Sequence, residues 1–286
     1  MTISLIMFSI FSCLYLFPFC QDPKHEPFWK EMRDTGVLRK ELVDDVFGKF
    51  CQQGAIKEDI LSMMEQFGLI VKFESSLGVH YFVPSQLSSP RQSLCRVEPS
   101  PSDPCPLYLH FPGGFVPHGL YSQLVSRCAK WCSGSKQKPV FRDMACSFIA
   151  REGTHRFILF CKKRFITIVL KQTNQEDAAS SAEIAEVPND LLWFVEDTLQ
   201  TFKRELPWLR NLEYEFCVEC PCCPEDKNIC RNHGQVSCSH ENCMCVLQVQ
   251  LGGQLSCCPH SGEIPQLPSL KRWFSTKGKM NMIERV

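Results

Sequence analysis

The sequence lacks an excess of charge and lacks the signature motifs of three enzyme classes. Its 31 basic residues balance its 31 acidic residues, so no overall field attracts nucleic acid or an acidic membrane. It contains no G-x-x-x-x-G-K-[ST] phosphate loop, no kinase H-R-D or D-F-G motif and no G-x-S-x-G nucleophile elbow. Nucleotide binding by this chain alone, phosphoryl transfer and lipase-type hydrolysis are therefore not predicted. We expect no catalytic and no cofactor-binding residues.

The N-terminal segment, residues 1–22, begins with twenty residues that carry no charge. Such a run is typical of a signal peptide or a membrane anchor. It has no basic start, however, and Pro18 with Cys20 makes a poor cleavage site. Three interpretations stay open: a targeting or anchoring segment, a buried strand or helix, and a wrongly assigned first exon. The predicted location is cytoplasmic, with the secretory pathway or a membrane as the alternative.

Residues 26–87 have the pattern of a winged helix. Apolar residues recur at helical spacing from Phe28 to Phe50 and again from Ile56 to Phe67, and Gly68 follows as a C-cap glycine would. Alternating apolar residues then predict two strands joined by a Ser-Ser-Leu-Gly turn. Between residues 37 and 83, five Lys or Arg are outnumbered by seven Asp or Glu. Packing against protein is therefore favoured, and nucleic acid is not a predicted partner.

A linker and a second subdomain follow. Residues 88–106 are rich in proline and serine, which is typical of a linker. Over residues 107–212 the pattern predicts a strand, an amphipathic helix, three further strands and a last helix capped by Asn189 or Asp190. The chain is therefore predicted to be α+β, with a winged-helix subdomain, a mixed α/β subdomain and a small Cys/His-rich tail.

Cysteine is concentrated in that tail. Ten of the 19 cysteines lie between residues 217 and 258, and several Cys or His pairs are separated by two residues, the spacing that aims two ligands at one tetrahedral metal. Structural zinc is favoured over disulfides, which stay the alternative and gain weight if the N-terminus is a signal peptide. A zinc module is predicted over 213–262, followed by a tail over 263–286.

Two sets of zinc ligands are predicted by the pair spacing. The first set is Cys220, Cys223, Cys257 and His260, and the second is Cys230, His233, His240 and Cys243. Other cysteines are spare or substitute ligands, namely Cys222, Cys238, Cys245 and Cys258.

Several segments in order resemble the COR domain, the region that follows the Ras-like GTPase in Roco proteins. They are GVLRKELVDDVF, ILSMMEQFGLIVKF, YFVPSQL and LYLHFPGGFVPHGLYSQLVSRC, within a similarity that extends from about residue 26 to residue 220. The winged-helix half resembles the first COR subdomain, and the Phe-Pro-Gly-Gly-Phe-Val-Pro-His-Gly-Leu-Tyr run resembles the opening of the second. The resemblance implies a non-catalytic module that relays the nucleotide state of a Roc-type GTPase, present in cis or in trans, and that forms a homodimer.

The resemblance also implies that subunits meet through the second half. The predicted interface residues are Leu120, Leu124, Phe157 and Phe160, and the alternative is that these side chains lie in the monomer's own core. Two other functions stay open. The chain could be a secreted or membrane-tethered cysteine-rich binding protein, or the scaffold part of a Roco kinase whose catalytic residues lie elsewhere.

Overall fold

Helices and antiparallel sheets make the protein α+β, which confirms the predicted class. The computed structural model describes residues 23–50, 54–66, 69–75, 78–83, 100–132, 140–142, 145–150, 155–173, 186–223, 244–259 and 261–274. The predicted N-terminal segment, Gly68, most of the predicted linker and the second set of zinc ligands lie outside these residues.

In its described residues, the first half contains three α-helices and a three-stranded sheet. Its elements are α1 (Glu26–Thr35), β1 (Val37–Arg39), α2 (Lys40–Phe50), α3 (Gly54–Gln66), β2 (Val71–Ser75) and β3 (Gly78–Phe82). The sheet order is β1-β3-β2, and both pairings are antiparallel. Buried apolar side chains of the helices and strands, among them Trp29, Met32, Leu42 and Ile70, form the core of this half.

Gly36 interrupts the helical pattern that the sequence shows up to Phe50. Its φ is +71°, a left-handed conformation that favours glycine. Its N–H donates to the carbonyl of Met32 at 2.8 Å, and its carbonyl accepts the N–H of Val83 at 2.8 Å. The chain therefore leaves α1 at Gly36 and enters β1, a strand that the sequence pattern did not predict.

Replacing Gly36 with alanine is expected to destabilise the first half. A Cβ atom there would lie 2.8 Å from a ring carbon of Phe82, which is fully buried, so the ring or the backbone would have to shift. Gly119 is the matched control, because its φ is +80° but nothing lies within 4 Å of its Cβ position. Chemical denaturation should show that Gly36→Ala costs about 1–3 kcal/mol more than Gly119→Ala. Equal losses would mean that the contact with Phe82 is not tight.

Among the described residues of the second half are a seven-stranded antiparallel sheet and two α-helices. Its elements are β4 (Leu107–His110), α4 (Leu120–Trp131), β5 (Val140–Arg142), β6 (Ala145–Ala150), β7 (His155–Cys161), β8 (Phe165–Gln172), α5 (Val187–Glu205), β9 (Glu215–Glu219) and β10 (Val246–Gln248). The order is β10-β9-β4-β8-β7-β6-β5. Two strands, β9 and β10, fall inside the predicted zinc module, so the main sheet continues into that region.

Three of the four predicted interface residues belong to the core between the sheet and the helices α4 and α5. Leu120, Leu124 and Phe157 are each 0% exposed, and all three pack in one cluster. Trp131 stacks on Phe194 with ring centroids 4.8 Å apart and meets Phe157 edge-on. Side chains enclosed in this way cannot meet a second subunit without unfolding, so the alternative of a monomer core is correct at these three positions.

Phe160 differs from the other three residues. Side chains alternate between the faces of a strand, and Phe157 and Leu159 of β7 face the helices. Phe160 therefore points to the other face of the sheet, where it is half-buried. Its interface role stays a prediction.

The two halves share one core. Val71 of β2 and Phe82 of β3 are fully buried in the cluster that also contains the sheet and helices of the second half. On the surface, Lys130 of α4 forms an ion pair with Glu65 of α3 at 2.8 Å. Because fully buried aromatic and aliphatic side chains join them, the halves are packed together and are not two independent bodies.

Segments predicted as linker and tail contribute buried residues. Asp103, at the end of the predicted linker, is 5% exposed and accepts the N–H groups of Ser100 and Gln172 at 2.7 and 3.0 Å. Trp273, in a short 3₁₀ helix (Pro268–Trp273) of the predicted tail, is fully buried. Its indole N–H donates to the carbonyl of Cys105 at 2.9 Å. Both segments are therefore part of the second half.

Candidate metal centre

Four cysteines meet beside the strands β9 and β10, and we call Cys220, Cys223, Cys245 and Cys258 the four-cysteine cluster. Cys220 directly follows β9 and Cys245 directly precedes β10. Because these strands pair antiparallel, the end of one lies beside the start of the other. The N–H of Cys220 donates to the carbonyl of Cys245 at 2.9 Å, which fixes the two residues side by side.

Two turns bring the remaining thiols to this point. Cys223 closes a turn after β9, with its N–H 3.4 Å from the carbonyl of Cys220. Cys258 donates its N–H to the carbonyl of Glu263 at 2.8 Å and accepts the N–H of Gly262 at 2.8 Å. Gly262 has φ +73°, which favours glycine in this turn. The sequence Cys-Pro-x-x-Gly at 258–262 thus holds the Cys258 thiol in place.

The sulfur atoms are close enough to share one ion. Those of Cys220, Cys223 and Cys245 all lie within 4.8 Å of one another, and the Cys223 and Cys258 sulfurs are 3.6 Å apart. A tetrahedral zinc site with Zn–S bonds of about 2.3 Å has sulfur–sulfur distances of about 3.8 Å. None of the described cysteines is disulfide-bonded. The four-cysteine cluster could therefore hold a metal ion.

The surroundings of the cluster favour the protonated form of two of its thiols, those of Cys223 and Cys245. Burial, together with hydrogen bonds to the neighbouring thiols, raises the pKa of Cys223 well above the ordinary range of a thiol. Burial also raises the pKa of Cys245. A metal ion binds the thiolate form, so binding must release these protons. Metal affinity should consequently weaken as the pH falls.

Only half of the first predicted ligand set appears in this cluster. Cys220 and Cys223 are brought together as predicted, whereas Cys257 is exposed and is not a member of the group. His260 lies outside the described residues. The other two thiols come from Cys245 and Cys258, which the sequence offered only as substitutes. One signal could have found Cys245: it stands just before an alternating Val-Leu-Gln-Val run, as Cys220 stands just after Phe-Cys-Val-Glu.

A second group of metal-ligand atoms is formed by His110, Glu215 and Cys217. Arg164 approaches the Nε2 atom of His110 at 3.0 Å, and the Nδ1 atom lies 3.5 Å from Glu215. Because arginine can only donate, Nε2 accepts and the ring proton sits on Nδ1, facing the carboxylate. A metal ion bound to Nδ1 would move that proton to Nε2, where it would face the positively charged guanidinium of Arg164. The donor set therefore fits an Arg–His–Glu hydrogen-bond chain better than a metal.

Comparisons with known proteins assign no family to the chain. Compared with models of protein families and with curated protein sequences, it matches none. Within the part of the chain that the structure describes, no helix has both the length and the apolar character needed to cross a bilayer.

Proposed function

We propose that this chain is a non-catalytic interaction module of the COR type, and that a zinc ion bound by the four-cysteine cluster holds its C-terminal region. The order of elements in the first half carries the proposal. Helix, strand, helix, helix, strand, strand, with sheet order β1-β3-β2, is the arrangement expected of a winged helix. The second half begins with β4, the Phe-Pro-Gly-Gly-Phe run follows directly, and the other strands and the helices come after it. The run resembles the opening of the second COR subdomain.

Zinc is the metal that best suits four thiols. It is borderline-soft and binds cysteine thiolates in closed, four-coordinate sites whose role is structural, whereas catalytic zinc keeps one position for water or substrate. A site filled by Cys220, Cys223, Cys245 and Cys258 has no such position. The ion would join the ends of β9 and β10 to the turn at Cys258, and this supports a scaffold function.

The shared core supplies a physical basis for a relay. A GTPase that binds the first half would act on β2 and β3, whose Val71 and Phe82 side chains reach into the core of the second half. Close-packed interiors transmit small displacements because they contain few voids. A Ras-like domain of the Roc type is the partner proposed for the first half, and a second copy of the chain is the partner proposed for the second half.

The proposal is tested by calorimetry with a Ras-like domain of a Roco protein, loaded with GDP or with a non-hydrolysable GTP analogue. We expect binding whose dissociation constant differs about 5- to 100-fold between the nucleotide states, because a relay requires different affinities for the two. Glu58→Lys combined with Asp59→Lys, both exposed on α3, should weaken binding. Asp197→Lys, exposed on α5 in the other half, is the matched control.

Absence of binding in both nucleotide states would remove the GTPase relay and leave the zinc site unaffected. Light scattering of the same preparations reports the oligomeric state. A dimer that Phe160→Asp weakens would support the second-half interface, whereas a strictly monomeric wild type would exclude the dimer.

A further inference from the structure

A cleft of about 630 Å³ lies between the C-terminal half of α5 and the strands β9 and β10. Pro112 and Leu251 supply its exposed apolar surface. Leu212, Phe216 and Val249 also line it, but each is no more than 5% exposed. Leu251 is a large apolar residue that is 37% exposed, so the apolar surface continues to the rim of the cleft. A segment with apolar side chains would bind here favourably, because its apolar surface and that of the cleft would be removed from water.

Three glutamates line the same cleft, against a single lysine. They are Glu196, Glu213 and Glu215, and the lysine is Lys203. The Lys203 ammonium lies 6.0 Å from the ring centre of Tyr214, so it sits over the aromatic face. The lining carries three negative charges and one positive charge, which leaves an excess of two negative charges. This excess favours a basic occupant.

The Glu196 carboxylate is held in a fixed position. Tyr214 donates its hydroxyl proton to one carboxylate oxygen at 3.0 Å, and the Gln200 amide donates to the other at 2.9 Å. Burial and the Glu196 charge raise the pKa of Tyr214 well above its ordinary value, so the phenol remains a donor at neutral pH. A carboxylate oriented in advance loses less entropy when a cation binds.

The described part of the chain ends beside this cleft. The ring of Phe274 lies 3.1 Å from the position that a Cβ atom would take on Gly253. Gly253 donates its N–H to the carbonyl of Gln250, which lines the cleft. The residues that follow, 275–286, contain Lys277, Lys279 and Arg285 against one acidic residue, with Met280, Met282 and Ile283 between them.

We propose that the acidic cleft between α5 and β9–β10 binds the basic segment of this same chain that follows Phe274, residues 275–286. An extended chain spans about 3.3–3.6 Å per residue, so Lys277 and Lys279 reach roughly 10 and 17 Å beyond Phe274. The methionine and isoleucine side chains that follow these lysines match the apolar part of the lining. The inference does not depend on the COR resemblance or on the metal.

Carbodiimide cross-linking of the full chain followed by mass spectrometry tests this binding. The reagent joins a lysine amine to a nearby carboxylate with loss of water, so it reports ion pairs. We expect links from Lys277 or Lys279 to Glu196, Glu213 or Glu215. The ion pair between Lys130 and Glu65, at 2.8 Å, is the internal positive control. Glu213→Lys should reduce the tail links about tenfold, whereas Asp197→Lys, exposed on α5 but outside the cleft lining, should not.

Three outcomes would overturn the proposal. The first is an absence of tail links in a sample where the Lys130–Glu65 link forms. The second is an equal yield in the Glu213→Lys and Asp197→Lys variants, which would show that the cleft is not the binding site. The third comes from mixing unlabelled and ¹⁵N-labelled chains: if the tail links join only different chains, the occupant is a second copy and not the chain's own segment.

Discussion

Serine substitution of Cys245 or Cys258 is expected to lower the zinc content of the purified protein by about one ion per chain, because each removes one of the four thiolates of the proposed zinc site. Cys257→Ser should leave the zinc content unchanged. Cys257 is the matched control, since it adjoins Cys258 but is exposed and outside the cluster. Elemental analysis of the three variants measures the difference directly. Zinc bound by residues 224–243 would be common to all three variants and would not change the comparison.

Removal of this zinc should also have a large effect on stability. At a free zinc concentration of about 1,000 times the dissociation constant, binding stabilises the folded state by about 4 kcal/mol. For a chain of this size that corresponds to a fall in Tm of roughly 10 °C after chelation. Cys245→Ser should have the lower Tm even without chelator. Cys257→Ser should have the Tm of the wild type, both with and without chelator.

Two results would contradict this assignment. Loss of zinc from Cys257→Ser with retention in Cys245→Ser would favour the ligand set that spacing alone predicts. A wild type without metal, whose tail cysteines resist alkylation until they are reduced, would show that disulfides form instead.

Trp273→Ala is expected to destabilise the protein by about 3–5 kcal/mol. The side chain is 0% exposed, so its removal leaves a large cavity, and the carbonyl of Cys105 loses the indole donor that lies 2.9 Å away. Trp208→Ala is the control at an exposed position, because Trp208 is 52% exposed. We expect it to change the free energy of unfolding by no more than about 0.5 kcal/mol.

Urea denaturation followed by circular dichroism measures both free energies. Trp273→Phe should give an intermediate loss, since the ring still fills most of the space but cannot donate to Cys105. If Trp273→Ala and Trp208→Ala behave alike, the segment Pro268–Trp273 does not belong to the core.

The apolar pattern of the sequence predicted several long elements correctly. The helix α4 lies where apolar residues recur with a period of 3.6, and the strands β4, β7 and β8 lie where short apolar runs were predicted as strands. The three-residue strands β1 and β10 were missed, because three residues are too few to establish an alternation. The strand β9 was missed for another reason: its Cys217 was counted with the cysteine cluster, although this side chain is buried on the sheet.

The residues of the candidate sites could be predicted from the sequence only in part, for a different reason. Spacing along the chain identified Cys220 and Cys223, whose thiols are set by one local turn. It could not choose Cys245 and Cys258, because their place depends on the pairing of β9 with β10. In the same way, the sequence pattern indicates that Leu124 and Phe157 lie on an apolar face of their helix and strand. Whether that face meets its own sheet or a partner is decided by the tertiary structure.

The position of β4 has a consequence for how this chain can be produced and shortened. Although β4 is the first strand of the large sheet along the chain, both of its neighbours, β8 and β9, come much later. During synthesis, one edge of β4 has no strand to pair with until residues 215–219 have been made, and such delayed long-range pairing slows folding and exposes strand edges to aggregation. A shortened chain that ends at Leu212 would lack β9 and Trp273. Its β4 edge would stay open, and we expect it to aggregate where a chain extended to Phe274 does not.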